Sequence, residues 1–242
     1  MGGWLVAVVA AILALAVVQR DIQLTELVQE SGDLHRLASA RAGQHDAHLT
    51  ALSAIATASA GQRADLFLDV AATISRFYPR IIEVQLVPLD PSHETVGSAP
   101  LPAETEAMIR AAAARSTGLP ELLEHPLRQE HYLLVKRSPN SNDAIYALAL
   151  TIDAAQLVSS DAEFWSKDTV HARLSLPGGA ALVAAVAETP GQFSSPLDSM
   201  SQPLLLETSR QARLIDLLDP MQVAGVILLV SLIHFSLRAL VQ

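Results

Sequence analysis

The chain has 242 residues, 50% of them hydrophobic, with a net charge of −9 and a mean hydropathy of +0.32, high for a water-soluble protein. It contains no cysteine, which excludes disulfides, thiolate metal sites and cysteine nucleophiles. All 25 acidic residues and all but one of the 16 basic ones lie between Arg20 and Asp219, so that middle carries −10 and repels nucleic acid and anionic lipid.

The first element is an apolar run from Met1 to Val18, closed by Gln19-Arg20-Asp21. Ala14-Leu15-Ala16 has the small-x-small form of a signal-peptide cleavage site, but Met1-Gly2-Gly3 lacks a positive start. An uncleaved membrane anchor over residues 1–19 is therefore the expectation. Residues 20–63 read as a stalk helix. Leu24, Val28, Ser31, His35, Ala38, Ala42, His45, Leu49, Leu52 and Ala56 recur at alternating spacings of four and three. Such a stripe packs either on the chain's own body or on a second copy as a dimer seam. Between Ser31 and Gly43 it is poor in large residues, where a break is expected if anywhere.

A second helix is predicted from Ala64 to Phe77, with Phe67, Val70, Ala71, Ile74 and Phe77 on one face, ended by Pro79. In the strand that follows, Ile82, Val84 and Leu86 point one way and Glu83 and Gln85 the other. Asp90-Pro91-Ser92-His93 is a turn, with a return strand at Thr95–Ser98. A helix is predicted from Leu101 to Arg115 and strands over His131–Lys136 and Ile145–Ile152. Asp153 caps a short helix reaching Leu157. His171–Leu176 and Ala181–Ala187 flank the hairpin turn Pro177-Gly178-Gly179. Thr189–Ser201 reads as a surface loop and Pro203–Ser209 as a last strand. A short segment, Arg213–Leu218, leads into a final uncharged run, Met221–Leu237, set between Asp219-Pro220 and Arg238. This is an α+β protein: a long N-terminal membrane and stalk helix, a mostly antiparallel sheet with flanking helices over 64–219, and a C-terminal transmembrane helix over 220–240.

Chemistry is sparse. There is no G-x-S-x-G elbow, and Pro177-Gly178-Gly179 lacks the Lys and Ser/Thr of a phosphate loop. His45 and His48 stand three apart on one helix face, a spacing compatible with zinc or copper, yet no third ligand follows except His35 and Asp33. Solvated polar residues of the stalk are the expected reading. His35 and His45 in a packed seam are also a candidate pH-sensitive pair. His234, inside the last apolar run, is expected at the membrane interface near Arg238. The polar groups nearest the strands are Tyr78, Arg80, Tyr132, Lys136, Arg137, Tyr146 and Arg173. As a cluster they suit a carboxylate ligand; as strand ends they pair with the many acids.

Three stretches resemble the extracytoplasmic input regions of bacterial sensor histidine kinases, the PAS-like PDC or Cache domains: Phe77-Tyr78-Pro79-Arg80-Ile81-Ile82, Tyr146–Leu157 (YALALTIDAAQL) and Ala172–Gly179 (ARLSLPGG). The resemblance covers the layout of the whole chain. It implies a homodimeric sensor module in the inner membrane, with two spans and a periplasmic body. Such a module takes a small organic acid or amino acid, or senses an envelope stimulus, and relays it through the second span. In that family the span continues into a transmitter, and only that part, absent here, would need ATP and Mg²⁺; no cofactor and no catalytic residue is expected in this chain. The alternative is an envelope adaptor with two anchors that docks a partner protein without sensing.

Overall fold

A single helix, α1, runs from Gly2 to Ala58 without a break in the computed structural model, which describes residues 2–58, 63–184, 191–211 and 217–241. At 1.5 Å per residue it is about 85 Å long. The stripe lies against the chain's own body. Ser31, His35, Ala38, Ala42, His45, Leu49, Leu52 and Ala56 are all buried, while Val28 is 51% exposed and Leu27 is buried in its place. The segment poor in large residues does not break, because small side chains there allow the body to approach the helix closely.

Helix α2 (Ala64–Phe77) buries Phe67, Ala71 and Ile74. Phe77, expected on the same face, is 71% exposed. Strand β1 (Ile81–Pro88) then opens a five-stranded antiparallel sheet with β2 (Val96–Gly97), β3 (Glu121–Glu124), β4 (His131–Ser138) and β5 (Tyr146–Asp153), in the order β2-β1-β5-β4-β3. One face, with Val84, Leu86, Tyr132, Leu134, Leu148 and Leu150, packs on α1 and α2. The other, with Val87, Leu133, Val135, Ala147 and Ala149, is covered by α3 (Ala103–Arg115) through Ile109, Ala112 and Ala113. Covering both faces explains the apolar runs of the central strands β4 and β5.

Asp153 caps α4 (Ala154–Leu157), its carboxylate accepting from the Gln156 N–H at 3.1 Å. A second antiparallel sheet follows, in the order β7-β6-β9-β8: β6 (Val170–Ser175), β7 (Ala181–Val183), β8 (Phe193–Pro196) and β9 (Leu205–Arg210). Gly179 turns the β6–β7 hairpin at φ +88°, a conformation that costs glycine nothing. The region expected as a loop over 189–201 contains β8, a four-residue strand with no apolar alternation to announce it; its residues 189–190 lie outside the described residues, as do 185–187 of the expected β7 and most of the expected segment 213–218. Leu174, Leu182, Leu204 and Leu206 join the second sheet to the same core as α1 and the first sheet.

The last helix, α5 (Pro220–Val241), returns alongside α1. Trp4 Nε1–H donates to Ser231 Oγ at 3.3 Å and Gln19 to Gln222 at 3.0 Å, so the two helices run antiparallel. Both are long and apolar enough to cross a membrane. Leu5, Val6, Leu13, Val17 and Val18 on one, and Leu228, Leu229, Leu232 and Phe235 on the other, are all more than half exposed. His234 lies on α5 one turn before Arg238.

Candidate functional site

Three of the seven polar residues singled out in the sequence meet at the junction of α1 and the two sheets. Tyr78 closes α2, its N–H donating to the Ile74 carbonyl at 2.8 Å, and Pro79 turns the chain so that Arg80 enters the interior at 8% exposure. The guanidinium lies 5.2 Å from the Tyr78 ring centre; its Nε–H donates to His45 Nε2 at 3.0 Å and its Nη2 to Gln44. Arginine can only donate, so His45 Nε2 is the acceptor and the ring proton sits on Nδ1. That Nδ1–H donates to Gln202 Oε1 at 2.9 Å. The Tyr132 hydroxyl donates to the same oxygen at 2.8 Å, and Gln202 Nε2 donates to the Ala42 carbonyl at 2.9 Å.

Burial, aided by the charges of Arg80 and His48, pushes the His45 imidazole down to about 3, so it is neutral at physiological pH. Burial likewise raises the Tyr132 phenol and lowers Arg80. His45 is thus neither a solvated stalk residue nor a sensor of pH near neutrality, as its place in the sequence suggested. The body's approach to α1 removes the water that both readings need. The His48 ring lies tilted against that of Tyr78, their centres 4.4 Å apart, and its buried Nε2 has no hydrogen bond among the described residues. No group of three or more His, Asp or Glu among the described residues is placed to hold a metal ion. The amide of Gln202 and the imidazole of His45 are fully used internally. The arrangement joins α1, β1, β4 and the approach to β9 into one knot.

The other four residues lie elsewhere. Lys136 Nζ reaches Thr50 at 3.5 Å and Arg137 lies 3.5 Å from Asn140, at the end of β4 opposite Tyr132. Tyr146 pairs with Ser138 at the same end. Arg173 is in the second sheet, inside β6, 3.7 Å from the Glu207 carboxylate opposite it on β9. The structure does not bring the seven into one site.

A surface groove of about 690 Å³ opens instead between β1–β2, the loop over 89–101 and the start of α3. Gln85, on the face of β1 opposite Val84 and Leu86 as expected, is 1% exposed because β2 and that loop fold over it. Its Nε2 donates to the Ala99 carbonyl at 2.9 Å, while its Oε1 has no partner among the described residues. Gly97 stands opposite on β2, and a Cβ there would overlap the Gln85 amide. Glu106 Oε1 accepts from Thr95 Oγ1 at 2.5 Å and from Arg110 at 2.6 Å, and His93 and Glu94 complete the polar wall. The sequence held one signal for this groove, a glycine paired across from a strand glutamine, and it becomes readable only once the register is known.

No family model matches the sequence, and no curated protein matches it. The fold is matched by the ligand-binding domain of the amino acid chemoreceptor PctB of Pseudomonas aeruginosa PAO1 in complex with L-Arg, at a TM-score of 0.55 and 12% identity, over 77% of this chain and 94% of that one. It is also matched by the sensory domain of the Campylobacter jejuni chemoreceptor Tlp3 with isoleucine bound, at a TM-score of 0.52 and 12% identity, over 83% and 97% of the two chains. The chain shares the fold of these two domains. The PDC/Cache-like architecture expected from the sequence is therefore present. At 12% identity the likeness is one of fold, and it carries no kinase assignment.

Proposed function

We propose that the chain is the membrane-anchored input module of a bacterial receptor, with its acidic body outside the inner membrane. One observation carries this reading: a body with a sensor-domain fold hangs from two antiparallel apolar helices that leave it side by side. A stimulus that reshapes the body can then move α5 against α1, by no more free energy than the ligand's difference in affinity for the two shapes. The proteins of like fold carry L-Arg and isoleucine, which supports a small amino acid as the stimulus here. The output that α5 would feed is a histidine-kinase transmitter or a chemoreceptor signalling helix, and the module would work as a homodimer.

Thermal unfolding of the purified full chain in detergent, screened against amino acids and organic acids, tests the proposal. A ligand at one hundred times its Kd adds about 2.7 kcal/mol of stability and raises the midpoint by mass action. A screen in which no member of either class raises it would remove the ligand-sensing role.

A further inference from the structure

We infer that the loop over 125–130, between β3 and β4, is an acid-released clasp at the cleft between the two sheets, with a proton on His125 as its trigger. The loop is closed by the His125 N–H, which donates to the His131 carbonyl at 3.3 Å. Inside it the His125 imidazole, 8% exposed, accepts at Nδ1 from the N–H groups of Leu127 at 3.2 Å and Arg128 at 3.1 Å. A ring nitrogen that accepts N–H bonds has its lone pair engaged and carries no proton, so the imidazole is neutral with its proton on Nε2. Such a turn is ordinarily held by the side-chain oxygen of Asn or Ser, which takes up no proton. Here a titratable group holds it.

A proton on Nδ1 turns that acceptor into a third donor facing the other two, and the loop cannot then stay closed. Burial, followed by the Arg128 charge, holds the imidazole below its ordinary value, with Glu83 on β1 opposing and His131 on β4 adding. The closed loop is therefore intact above about pH 6.5 and is lost as the pH falls through that lowered value. Its closure braces the contact region of the sheets. Arg128 donates to Glu83 at 2.6 Å, and the Glu130 carbonyl accepts from Ala154, the first residue of α4, at 2.8 Å. Helix α4 is bound in turn to α1 through Arg41. Arg128, Gln129 and Glu130 wall a cleft of about 290 Å³ together with Ala181 and Leu182 of β7. Glu124 and Glu130 line the same cleft, where their carboxylates can receive the released imidazolium. Acid is thus a stimulus in its own right, independent of the amino acid proposed above.

Hydrogen–deuterium exchange of the full chain in detergent, read by mass spectrometry at pH 7.5, 6.0 and 5.0 and corrected for the intrinsic rate, tests this. The Leu127 and Arg128 amides should lose protection on acidification, by up to about tenfold per pH unit, the limit for one proton. The amides of β4 and β5 should keep theirs. His125→Asn, whose side-chain oxygen accepts from the same two N–H groups and does not titrate, should hold the loop closed at pH 5.0. His125→Ala, with no acceptor, should leave it open at every pH. A wild-type loop still protected at pH 5.0, or one that opens equally in His125→Asn, overturns the clasp. Loss of protection in β4 and β5 together with the loop also overturns it, because that is global unfolding. Nitrogen NMR of the His125 ring gives a check that needs no variant. A proton on Nε2 at pH 7.5, with the Leu127 and Arg128 amide shifts following the ring's own titration midpoint, supports the clasp; a proton on Nδ1 at pH 7.5 overturns it. Amino-acid binding enters none of these readouts, so the clasp and the proposed function stand or fall separately.

Discussion

At the level of single residues, the knot at His45 has a consequence in pH. Its imidazole titrates near 6.5 in an unfolded chain but is held to about 3 in the body, chiefly by burial. The unfolded state therefore binds a proton that the folded state refuses. Stability is fully present above about pH 6.5 and falls as pH drops toward 3, with a limiting slope near 1.4 kcal/mol per pH unit for this one group. His48 and His125 are lowered in the same direction, also by burial, so each adds its own contribution to the slope. His45→Asn keeps a donor for Gln202 and removes the titration. Denaturant unfolding at pH 7.5, 5.5 and 4.5 should show the wild type losing more stability than the variant, by up to about one proton's worth of slope. Equal slopes would mean that water reaches His45 and the knot is open. Lowering the pH thus weakens the junction of the sheets without charging it near neutrality.

Among the elements, α1 and the segment between β8 and β9 set the body's geometry through small residues. Ser31 meets Thr208 at 2.6 Å, His35 Nε2–H donates to the Pro196 carbonyl at 2.7 Å, the Asp198 N–H donates to Ser39 at 3.0 Å, and Ser201 donates to Asp46 at 2.7 Å. Arg41 ties the same helix to α4 by donating to the carbonyls of Gln156, Leu157 and Ser159 at 2.7–3.1 Å. The Ser31 and Ser39 contacts, and the packing of Ala38 and Ala42 in the core, need the backbones close, which the small side chains at these positions permit. Ala42→Leu should therefore overpack the junction and cost about 1–3 kcal/mol, while Val28→Ala, on the exposed side, should change stability by less than about 0.5 kcal/mol. Unfolding of both variants at two protein concentrations decides the matter. Were the stripe a seam between copies, Ala42→Leu would shift oligomeric state and leave the folded monomer intact. The periodicity of α1, the stop at Pro79, the Asp153 cap and the β6–β7 turn were all readable in the sequence because each is local chemistry. The two-sheet division, β3 and β8 were not: Glu121–Glu124 and Phe193–Pro196 are strands by virtue of their neighbours, with no alternation of their own. His45 misled for a related reason. A polar residue of the stalk reads as solvated until a residue far away in the chain, here Gln202, closes over it.

On the scale of the whole molecule, the two apolar helices and the acidic body make a claim about sidedness. The 22 residues of α5 span about 33 Å as a helix, enough for a hydrocarbon core of about 30 Å. Because α1 and α5 run antiparallel, residues 3 and 240 lie at the end of the pair away from the body. Arg238 sits at that end while Arg20, Arg210 and Arg213 flank the spans on the body side in the sequence, so charge alone orients the pair weakly; a large domain crosses with little regard to its charge, which favours the body outside. The chain has no cysteine, so single-cysteine variants report sidedness without background. Met200 and Leu240 are each 82% exposed and lie on opposite sides of the proposed bilayer. Met200→Cys should react with a membrane-impermeant maleimide in cells whose outer membrane alone has been opened, and Leu240→Cys only after lysis. The reverse pattern would put the body in the cytoplasm, out of reach of any external stimulus. Labelling of both before lysis would mean that α5 does not cross at all. With the expected pattern, the weak polar contacts between the helices acquire a role. Trp4–Ser231 and Gln19–Gln222 are the kind of pair that contributes about 0.6 kcal/mol in a membrane, enough to set register and too little to resist a shift of α5 imposed from the body.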